Sequence, residues 1–175
     1  ELLCKELTLR EKVDQLGNNV SEPIKRNGQV ILPSYQYWNE ALHGVARSGA
    51  ATSFPESKGM SATWDEMLVR ACAEAISDEA RIYHETKRKG LNYWSPTINM
   101  ARDPRWGREE ENYGEDPLLA GRLAVEFIKG FQGEITPATP YYKLVACAKH
   151  FAANNYEQGR QSTTSFVTEK NMREY

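Results

Sequence analysis

The chain has 175 residues, of which 40% are hydrophobic and 26% are charged, and this composition excludes disordered and fibrous proteins. Its formal net charge is -2, from 22 basic and 24 acidic residues, which excludes the basic surface typical of proteins that bind nucleic acid or anionic membranes. We therefore expect neither nucleic acid nor a membrane as a partner, and no apolar run approaches the roughly 20 residues of a membrane helix.

The N-terminal part of the sequence predicts two helices separated by irregular structure. Thr8 is followed three residues later by Glu11, a capping-box pattern that predicts a short helix through about Leu16. Residues 17–33 are polar and contain Asn, Gly and Pro, so they are predicted to form a loop. Apolar residues at helical spacing predict a long helix over residues 63–89.

The second half of the sequence alternates between strand and helix patterns. Residues 91–95 predict a short strand, a long polar loop follows over residues 102–116, and residues 144–148 predict a second buried strand. Between them, Pro117 can occupy the first turn of a helix that runs to about Phe131. This order indicates βαβ units, a parallel sheet and an α/β fold.

The three cysteines, Cys4, Cys72 and Cys147, are far apart and lack the Cys/His spacing of a zinc site. We interpret them as small buried hydrophobic residues and expect no metal site. The sequence starts at Glu1 without the segments of a secretion signal. Because such a signal is removed from mature proteins, the compartment stays open, and an extracellular or periplasmic location is favoured over a cytoplasmic one.

Charged residues directly follow both predicted strands of the second half. Lys149 and His150 follow one, and the arginine-rich residues 102–108 follow the other. Ligands of α/β proteins bind at the carboxyl ends of parallel strands, so these residues are candidates for a site. The alternative is that they only keep the strand ends soluble.

Three segments give these candidates a more specific interpretation. They are Trp-Asn-Glu-Ala-Leu-His-Gly-Val at residues 38–45, Arg-Asp-Pro-Arg-Trp-Gly-Arg at 102–108, continued by Asn-Tyr-Gly-Glu-Asp-Pro at 112–117, and Ala-Lys-His-Phe-Ala-Ala-Asn at 148–154. In order and spacing they resemble the N-terminal barrel of family 3 glycoside hydrolases, which hydrolyse β-linked glucosides, xylosides and related sugars. The resemblance extends from about residue 7 to residue 175.

The resemblance implies the N-terminal portion of a (β/α)8 TIM-type barrel, truncated before closure. Residues 168–175 begin like a helix and stop before completing it, which fits a truncated chain. Residues 1–175 would form the first half of the barrel domain, and the remaining barrel and an α/β-sandwich domain are expected beyond Tyr175. The rest of this parent polypeptide is therefore an expected partner, because a half barrel leaves strand edges exposed.

The resemblance also implies four substrate-binding residues and a small oligosaccharide as substrate. Glu40 matches the carboxylate that receives two hydroxyls of the non-reducing sugar, a role that suits two acceptor oxygens. Arg108 matches an arginine at the same sugar, and Lys149 with His150 matches a pair that contacts neighbouring hydroxyls. Generic alternatives remain, since Glu40 in particular could be a residue on the surface of a helix.

Other conspicuous residues have mainly structural interpretations. His43 and His84 are predicted to be structural, and Arg102 and Arg105 are predicted to form salt bridges that shape their loop. Glutamates 109–111 are predicted to be solvated or to form loop-shaping hydrogen bonds, because three consecutive side chains cannot converge on one point. Two tryptophans can be sugar-stacking walls or core residues, and the sequence does not choose between these roles: Trp38 and Trp106.

Family 3 enzymes are retaining hydrolases that use a nucleophilic carboxylate and an acid/base carboxyl group. The resemblance places the nucleophilic aspartate on a later barrel strand and the acid/base on a second domain, so neither is assigned within this chain. The N-acetylhexosaminidase branch is disfavoured because residues 152–155 are Ala-Ala-Asn-Asn and do not form a proline-glycine loop. No cofactor is expected, because this hydrolysis needs only carboxyl groups and water.

The identity of residue 40 suggests a substrate. The corresponding residue is commonly Asp in family 3 glucosidases, and Glu40 resembles the β-xylosidase group. Its extra methylene would extend the carboxylate into the space that the C6 hydroxymethyl of glucose needs, so we predict an exo-acting xylan 1,4-β-xylosidase with α-arabinofuranoside side activity. The alternatives are a β-glucosidase of the same family and a carbohydrate-binding module without hydrolysis. An unrelated phosphate-binding isomerase barrel is disfavoured, since the chain has no glycine-rich phosphate loop.

Overall fold

A computed structural model describes residues 2–17 and 20–175 of the chain. It begins with two short helices, α1 (Leu2–Glu6) and α2 (Leu9–Asp14). The predicted capping box is confirmed, because the Thr8 hydroxyl accepts a hydrogen bond from the Glu11 N–H and the Glu11 carboxylate accepts one from the Thr8 N–H. These reciprocal bonds satisfy two backbone donors at the start of α2.

The prediction of a loop over residues 17–33 is wrong, although residues 18 and 19 lie outside the described residues. Short strands form two antiparallel pairs here: β1 (Val20–Ser21) with β4 (Tyr35–Gln36), and β2 (Ile24–Arg26) with β3 (Gln29–Leu32). The turn between β2 and β3 is Asn27–Gly28, whose φ angles are +50° and +80°. Asn and Gly tolerate these angles better than other residues, so the pair favours a two-residue hairpin despite the polar composition.

The predicted long helix is confirmed, but it begins at Glu66, later than predicted. It forms α4 (Glu66–Lys87) and follows the five-residue helix α3 (Ser57–Ser61), which the sequence did not predict. The helix α4 cannot begin at residue 63 because Trp64 has a φ of +57°, and the Asp65 carboxylate caps its first turn by accepting from the Leu68 N–H at 2.9 Å. It ends at Arg88, whose φ is +55°.

The predicted order of strand, loop, helix and strand in the second half is confirmed. The elements are β5 (Asn92–Tyr93), a 3-10 helix (Glu109–Glu111) within the loop, α5 (Pro117–Gln132), β6 (Val145–Ala146) and a final α6 (Glu169–Glu174). β5 and β6 are shorter than predicted, but they pair in parallel, as expected of a βαβ unit. The chain therefore has a mixed α/β fold.

The core lies where α4 and α5 pack on each other and on β5. Ile76 of α4 and Phe127 and Phe131 of α5 are fully buried, and the ring of Tyr93 contacts Phe131 edge to face with centroids 5.6 Å apart. Gly130 allows the helices to approach closely, because a Cβ atom there would lie 2.4 Å from the carbonyl oxygen of Arg70. This packing fixes the strand ends from which the site is built.

The cysteine prediction is only partly right. All three are free thiols, and Cys72 is buried in the core on α4, as predicted. Cys4 and Cys147 are exposed instead. Cys4 lies on α1, which has no buried residue, and Cys147 directly follows the two-residue strand β6.

Candidate active site

A cleft with a volume of about 1000 Å³ opens at the carboxyl ends of β5 and β6. Its walls come from side chains within residues 38–47, from Trp94, from Arg108 and Glu111, and from side chains within residues 149–165. All four predicted substrate-binding residues line it: Glu40, Arg108, Lys149 and His150. Because these residues come from three segments far apart in sequence, the fold brings together what the motifs only suggested.

Lys149 lies on the floor of the cleft, and its side chain is only 9% exposed. The segment after β6 holds it in place, since its N–H donates to the Pro96 carbonyl at 3.0 Å and its carbonyl accepts from the Ile98 N–H at 2.7 Å. Burial lowers the pKa of Lys149, the Glu40 carboxylate opposes this shift, and Arg108 adds to it. A buried ammonium is stabilised only where acceptors are near.

Glu40 provides the nearest such acceptor, with its Oε1 atom 3.8 Å from the Nζ of Lys149. It is not a helix residue, as one interpretation had it, but forms an isolated β-bridge with Ala46, and its side chain is 24% exposed. Gly44 closes the turn between them, because its φ is +148° and a Cβ there would lie 2.2 Å from the Thr52 carbonyl oxygen. This tight turn directs Glu40 into the cleft.

Arg108 is held by a bidentate pair with Glu111, in which its Nε and one terminal nitrogen donate to the two carboxylate oxygens at 2.7 and 2.6 Å. These bonds raise the pKa of Arg108 and outweigh the effect of burial. Burial acts to raise the pKa of Glu111, but the bonds from Arg108 outweigh it and leave that pKa lowered. The pair is therefore a fixed, ionised feature of the cleft wall.

His150 is oriented by Asn99, whose side-chain oxygen accepts from both the His150 N–H and its Nδ1, each at 2.9 Å. The amide nitrogen of Asn99 donates to the Asn154 carbonyl at 2.6 Å, so its oxygen must face the histidine. Burial, followed by the charges of Arg108 and Lys149, lowers the pKa of His150 to about 4. At neutral pH the ring is thus uncharged, with its proton on Nδ1 and an acceptor lone pair on Nε2.

The structure assigns different positions to the two tryptophans whose roles the sequence does not decide. Trp38 lines the cleft and is 41% exposed, whereas Trp106 is 4% exposed and belongs to the buried interior. Arg47 also lines the cleft, and its Nε donates to Glu40 Oε2 at 2.9 Å. Sequence reasoning missed Arg47, because it lies outside the periodic elements and only its nearness in sequence to Glu40 could have indicated it.

The two other histidines, His43 and His84, make the structural contacts that the sequence predicts for them. His43 reaches the cleft wall, but its ring is held by the Phe54 carbonyl at 2.8 Å and by Glu56 at 2.9 Å. His84 lies on α4, and its Nδ1 is 2.6 Å from the Lys89 carbonyl oxygen.

The predicted loop-shaping contacts are found for Arg105 and for Glu109, but Arg102 forms no salt bridge in the part of the chain that the structure describes. Arg105 pairs with Asp103 at 2.6 Å, and Glu109 pairs with Lys58 at 2.8 Å. Arg102 lines a second, smaller pocket.

Within residues 2–17 and 20–175, no three His, Cys, Asp or Glu side chains group as a metal site would require. None of the helices described is both long enough and apolar enough to cross a membrane.

Comparison with known proteins finds similar xylosidases both by sequence and by structure. The chain is 41% identical over 161 residues to beta-xylosidase/alpha-L-arabinofuranosidase 1 of Medicago sativa subsp. varia, covering 86% of this chain and 20% of that protein. It superposes with a TM-score of 0.74 and 36% identity on a GH3 exo-beta-xylosidase (XlnD) in complex with a xylobiose aziridine activity-based probe, covering 89% of this chain and 20% of that one.

A glucosidase is similar at lower identity. DesR, a beta-glucosidase from Streptomyces venezuelae in complex with D-glucose, superposes with a TM-score of 0.76 and 28% identity over 98% of this chain and 21% of that one. The chain thus spans about a fifth of the length of these relatives. Residues 5–175 match the family model described as glycosyl hydrolase family 3 N terminal domain. The family expected from the sequence is confirmed: the chain belongs to glycosyl hydrolase family 3.

Proposed function

We propose that this chain forms the sugar-binding wall of a retaining glycoside hydrolase that removes β-linked xylose from the non-reducing end of xylo-oligosaccharides. The observation that carries the proposal is the convergence of Glu40, Arg108, Lys149 and His150 on one cleft. Similarity to proteins named as xylosidases, at about 40% identity, supports the choice of substrate. A small oligosaccharide is then the ligand of the cleft.

The polar groups of the cleft suit a polyol. Glu40 offers acceptor oxygens for neighbouring hydroxyls, and the buried ammonium of Lys149 offers donors beside it. Neutral His150 adds an acceptor at Nε2. Donors and acceptors around one ring would fix its orientation, which hydrolysis requires because the anomeric carbon must be held in line with the attacking group.

The catalytic carboxyl groups are proposed to come from polypeptide beyond Tyr175. A retaining hydrolase needs one carboxyl group that holds a proton near neutral pH and a second that is free to attack. Three carboxylates line the cleft, and each is paired with an arginine: Glu111 with Arg108, Glu40 with Arg47 and Glu157 with Arg160. The pairing lowers the pKa of Glu111, and none of the three has the apolar, unpaired environment of a catalytic acid, which supports assigning no catalytic residue to this chain.

For the architecture, we propose that residues 1–175 form the first half of a (β/α)8 barrel domain, with the remaining barrel and an α/β-sandwich domain on the rest of the polypeptide. The parallel pairing of β5 with β6 and the position of the cleft at their carboxyl ends support this. An extracellular or periplasmic location stays part of the proposal.

A second candidate function is β-glucosidase activity, favoured by the similarity to DesR and other glucosidases. The two substrates differ by the C6 hydroxymethyl group of glucose. We propose that Glu40 disfavours this group because its carboxylate reaches one methylene further than that of an aspartate. Such shape discrimination is worth only about 1–3 kcal/mol, so some activity on glucosides and α-arabinofuranosides is expected.

The test is the kcat/KM of the full-length protein that contains this chain, measured with paired aryl β-xyloside and β-glucoside substrates. We expect the xyloside to be preferred and the Glu40→Asp variant to shift the ratio toward the glucoside. Glu110→Asp is the matched control, since it makes the same change on an exposed residue that does not line the cleft.

Each other outcome has a distinct meaning. A glucoside preference in the unaltered protein would replace the xylosidase proposal by the glucosidase one. A ratio that is equal in Glu40→Asp and Glu110→Asp would contradict the role of the longer side chain. Binding of xylose without turnover of either substrate would favour a carbohydrate-binding module.

A further inference from the structure

Arg47 occupies an unusual position at the mouth of the cleft. It directly follows the Glu40–Ala46 bridge, its φ is +61°, and its side chain is 69% exposed. Despite this exposure, its guanidinium is held at two points. Its Nε donates to Glu40 Oε2 at 2.9 Å, and its central carbon lies 5.4 Å above the ring of Trp38.

The contact with Trp38 changes the interpretation of that residue. Trp94 packs against Trp38 with centroids 6.1 Å apart and planes tilted by 32°, and Arg47 lies over the same indole. A sugar that stacked on Trp38 would have to compete with these neighbours. The better supported role of Trp38 is to hold the guanidinium of Arg47 in one plane.

We propose that Arg47 is a positioning residue that orients the carboxylate of Glu40 for the sugar diol, a role that rests on the proposed function of the cleft. A free glutamate side chain rotates about three bonds, and its carboxylate must be fixed if both oxygens are to receive hydroxyls. Arg47 takes one acceptor position on Oε2, and the ammonium of Lys149 faces Oε1 at 3.8 Å. About four acceptor positions exist on a carboxylate, so enough remain for two hydroxyls.

The planar guanidinium is essential to this role. It combines a directed N–H donor with a flat surface that packs on an indole, whereas an ammonium is a compact charge on a flexible stem. Arg47→Lys would keep the charge near Glu40 but lose the stacked, oriented donor. A role through charge alone and a role through geometry therefore predict different results for this variant.

The experiment uses the full-length protein and compares Arg47→Met, Arg47→Lys and the control Arg122→Met. Arg122 is a matched control because it is 63% exposed and pairs with Glu66 at 2.7 Å, outside the cleft lining. The kcat/KM for an aryl β-xyloside and the Kd for xylose are measured for each variant, in the original background and in a Glu40→Gln background. The thermal unfolding midpoint of each variant checks its folding.

We expect Arg47→Met to lower kcat/KM by about 10- to 100-fold, mainly through KM, as for the loss of a hydrogen bond to a charged group. Arg47→Lys should recover only a minor part of the loss, and Arg122→Met should show none. In the Glu40→Gln background the same Arg47→Met change should cost less than about twofold, because contacting residues are coupled. If Arg47→Met does not fold, Arg47→Lys carries the comparison.

Two results would overturn the proposal. One is equal kinetics for Arg47→Met and Arg122→Met. The other is an undiminished effect of Arg47→Met in the Glu40→Gln background, which would show that Arg47 binds the sugar independently. A protein that neither hydrolyses the substrate nor binds xylose before any substitution would instead refute the proposed function of the cleft.

Discussion

His150 illustrates how a single hydrogen bond decides the chemistry of a side chain in the cleft. The side-chain oxygen of Asn99 accepts a hydrogen bond from Nδ1 of His150. Burial disfavours the charged form of the His150 ring, and the cations Arg108 and Lys149 disfavour it further. The ring is therefore an acceptor toward the cleft at neutral pH, whereas its sequence position alone allowed a donor as well. A lowered pKa in the folded state also has a consequence for stability.

We predict that His150 makes the folded protein less stable as the pH falls from about 6.5 to about 4. In this window the unfolded histidine, with an ordinary pKa of about 6.5, binds a proton that the folded one, with a pKa of about 4, does not. Above the window both forms are neutral and the contribution of His150 is constant.

The measurement is the free energy of unfolding by urea across pH 4 to about 7. The His150→Gln variant should lose part of the pH dependence in that window, since it removes the titrating group. His84→Gln is the control, because His84 lies on α4 outside the cleft. Identical slopes for the unaltered protein and His150→Gln would contradict the prediction.

At the same scale, the sequence predicted the site unevenly. Glu40, Arg108, Lys149 and His150 were found because motifs surround them, and all four line the cleft. Two of the residues that orient them are not predicted by any motif. Arg47 and Asn99 act through contacts with residues 7 and 51 positions away, and no local pattern reports such contacts.

The helix pair α4 and α5 is the element on which the site depends, since it supports β5 and β6. Its close approach relies on Gly130, where a Cβ atom would meet the Arg70 carbonyl oxygen at 2.4 Å and the Ala73 side chain at 3.1 Å. Gly121 lies on the same helix, and a Cβ there would have nothing within 4 Å. The two glycines thus occupy the same secondary structure in opposite environments.

We predict opposite effects of the same substitution at these glycines. Gly130→Ala should lower the free energy of unfolding by about 1–3 kcal/mol, because the helices must move apart. Gly121→Ala should raise it by up to about 1 kcal/mol, because alanine has the higher helix propensity. Urea unfolding of both variants provides the comparison, and a stabilising Gly130→Ala would refute the close-packed interface.

At the level of elements, capping chemistry and periodicity were good guides. Thr8 and Pro117 marked helix starts that the structure retains, and the parallel βαβ order was found. The polar composition of residues 17–33 predicts a loop, but the Asn27–Gly28 turn favours the β2–β3 hairpin that forms there. The strands β5 and β6 were predicted too long, because they are regular for only two residues before the chain turns toward the cleft.

The whole molecule has an open sheet edge, since β6 pairs with β5 and with no second strand among residues 2–17 and 20–175. Cys147 follows β6 and is exposed, and Phe151 nearby is fully exposed. Long apolar side chains and an open edge are favourable only when something covers them. We proposed that the rest of a barrel does so.

We predict that Cys147 is protected from thiol reagents in the native full-length protein, although it is exposed in this chain. The rate of maleimide labelling, read at each cysteine by peptide mass spectrometry, should resemble that of Cys72, which is buried in the core. Labelling in urea gives the unprotected rate for both. Native labelling of Cys147 at the rate found in urea would contradict the proposed half barrel.

The tight turn that directs Glu40 toward Lys149 also bears on the order in which the molecule becomes organised. Hairpins and helices form through contacts between near neighbours, but Glu40 and Lys149 lie more than a hundred residues apart. Closing so long a loop costs conformational entropy, and this cost arises before the contact can stabilise the chain. We therefore expect the cleft to assemble late on the folding pathway, so that substitutions in it change the unfolding rate far more than the folding rate.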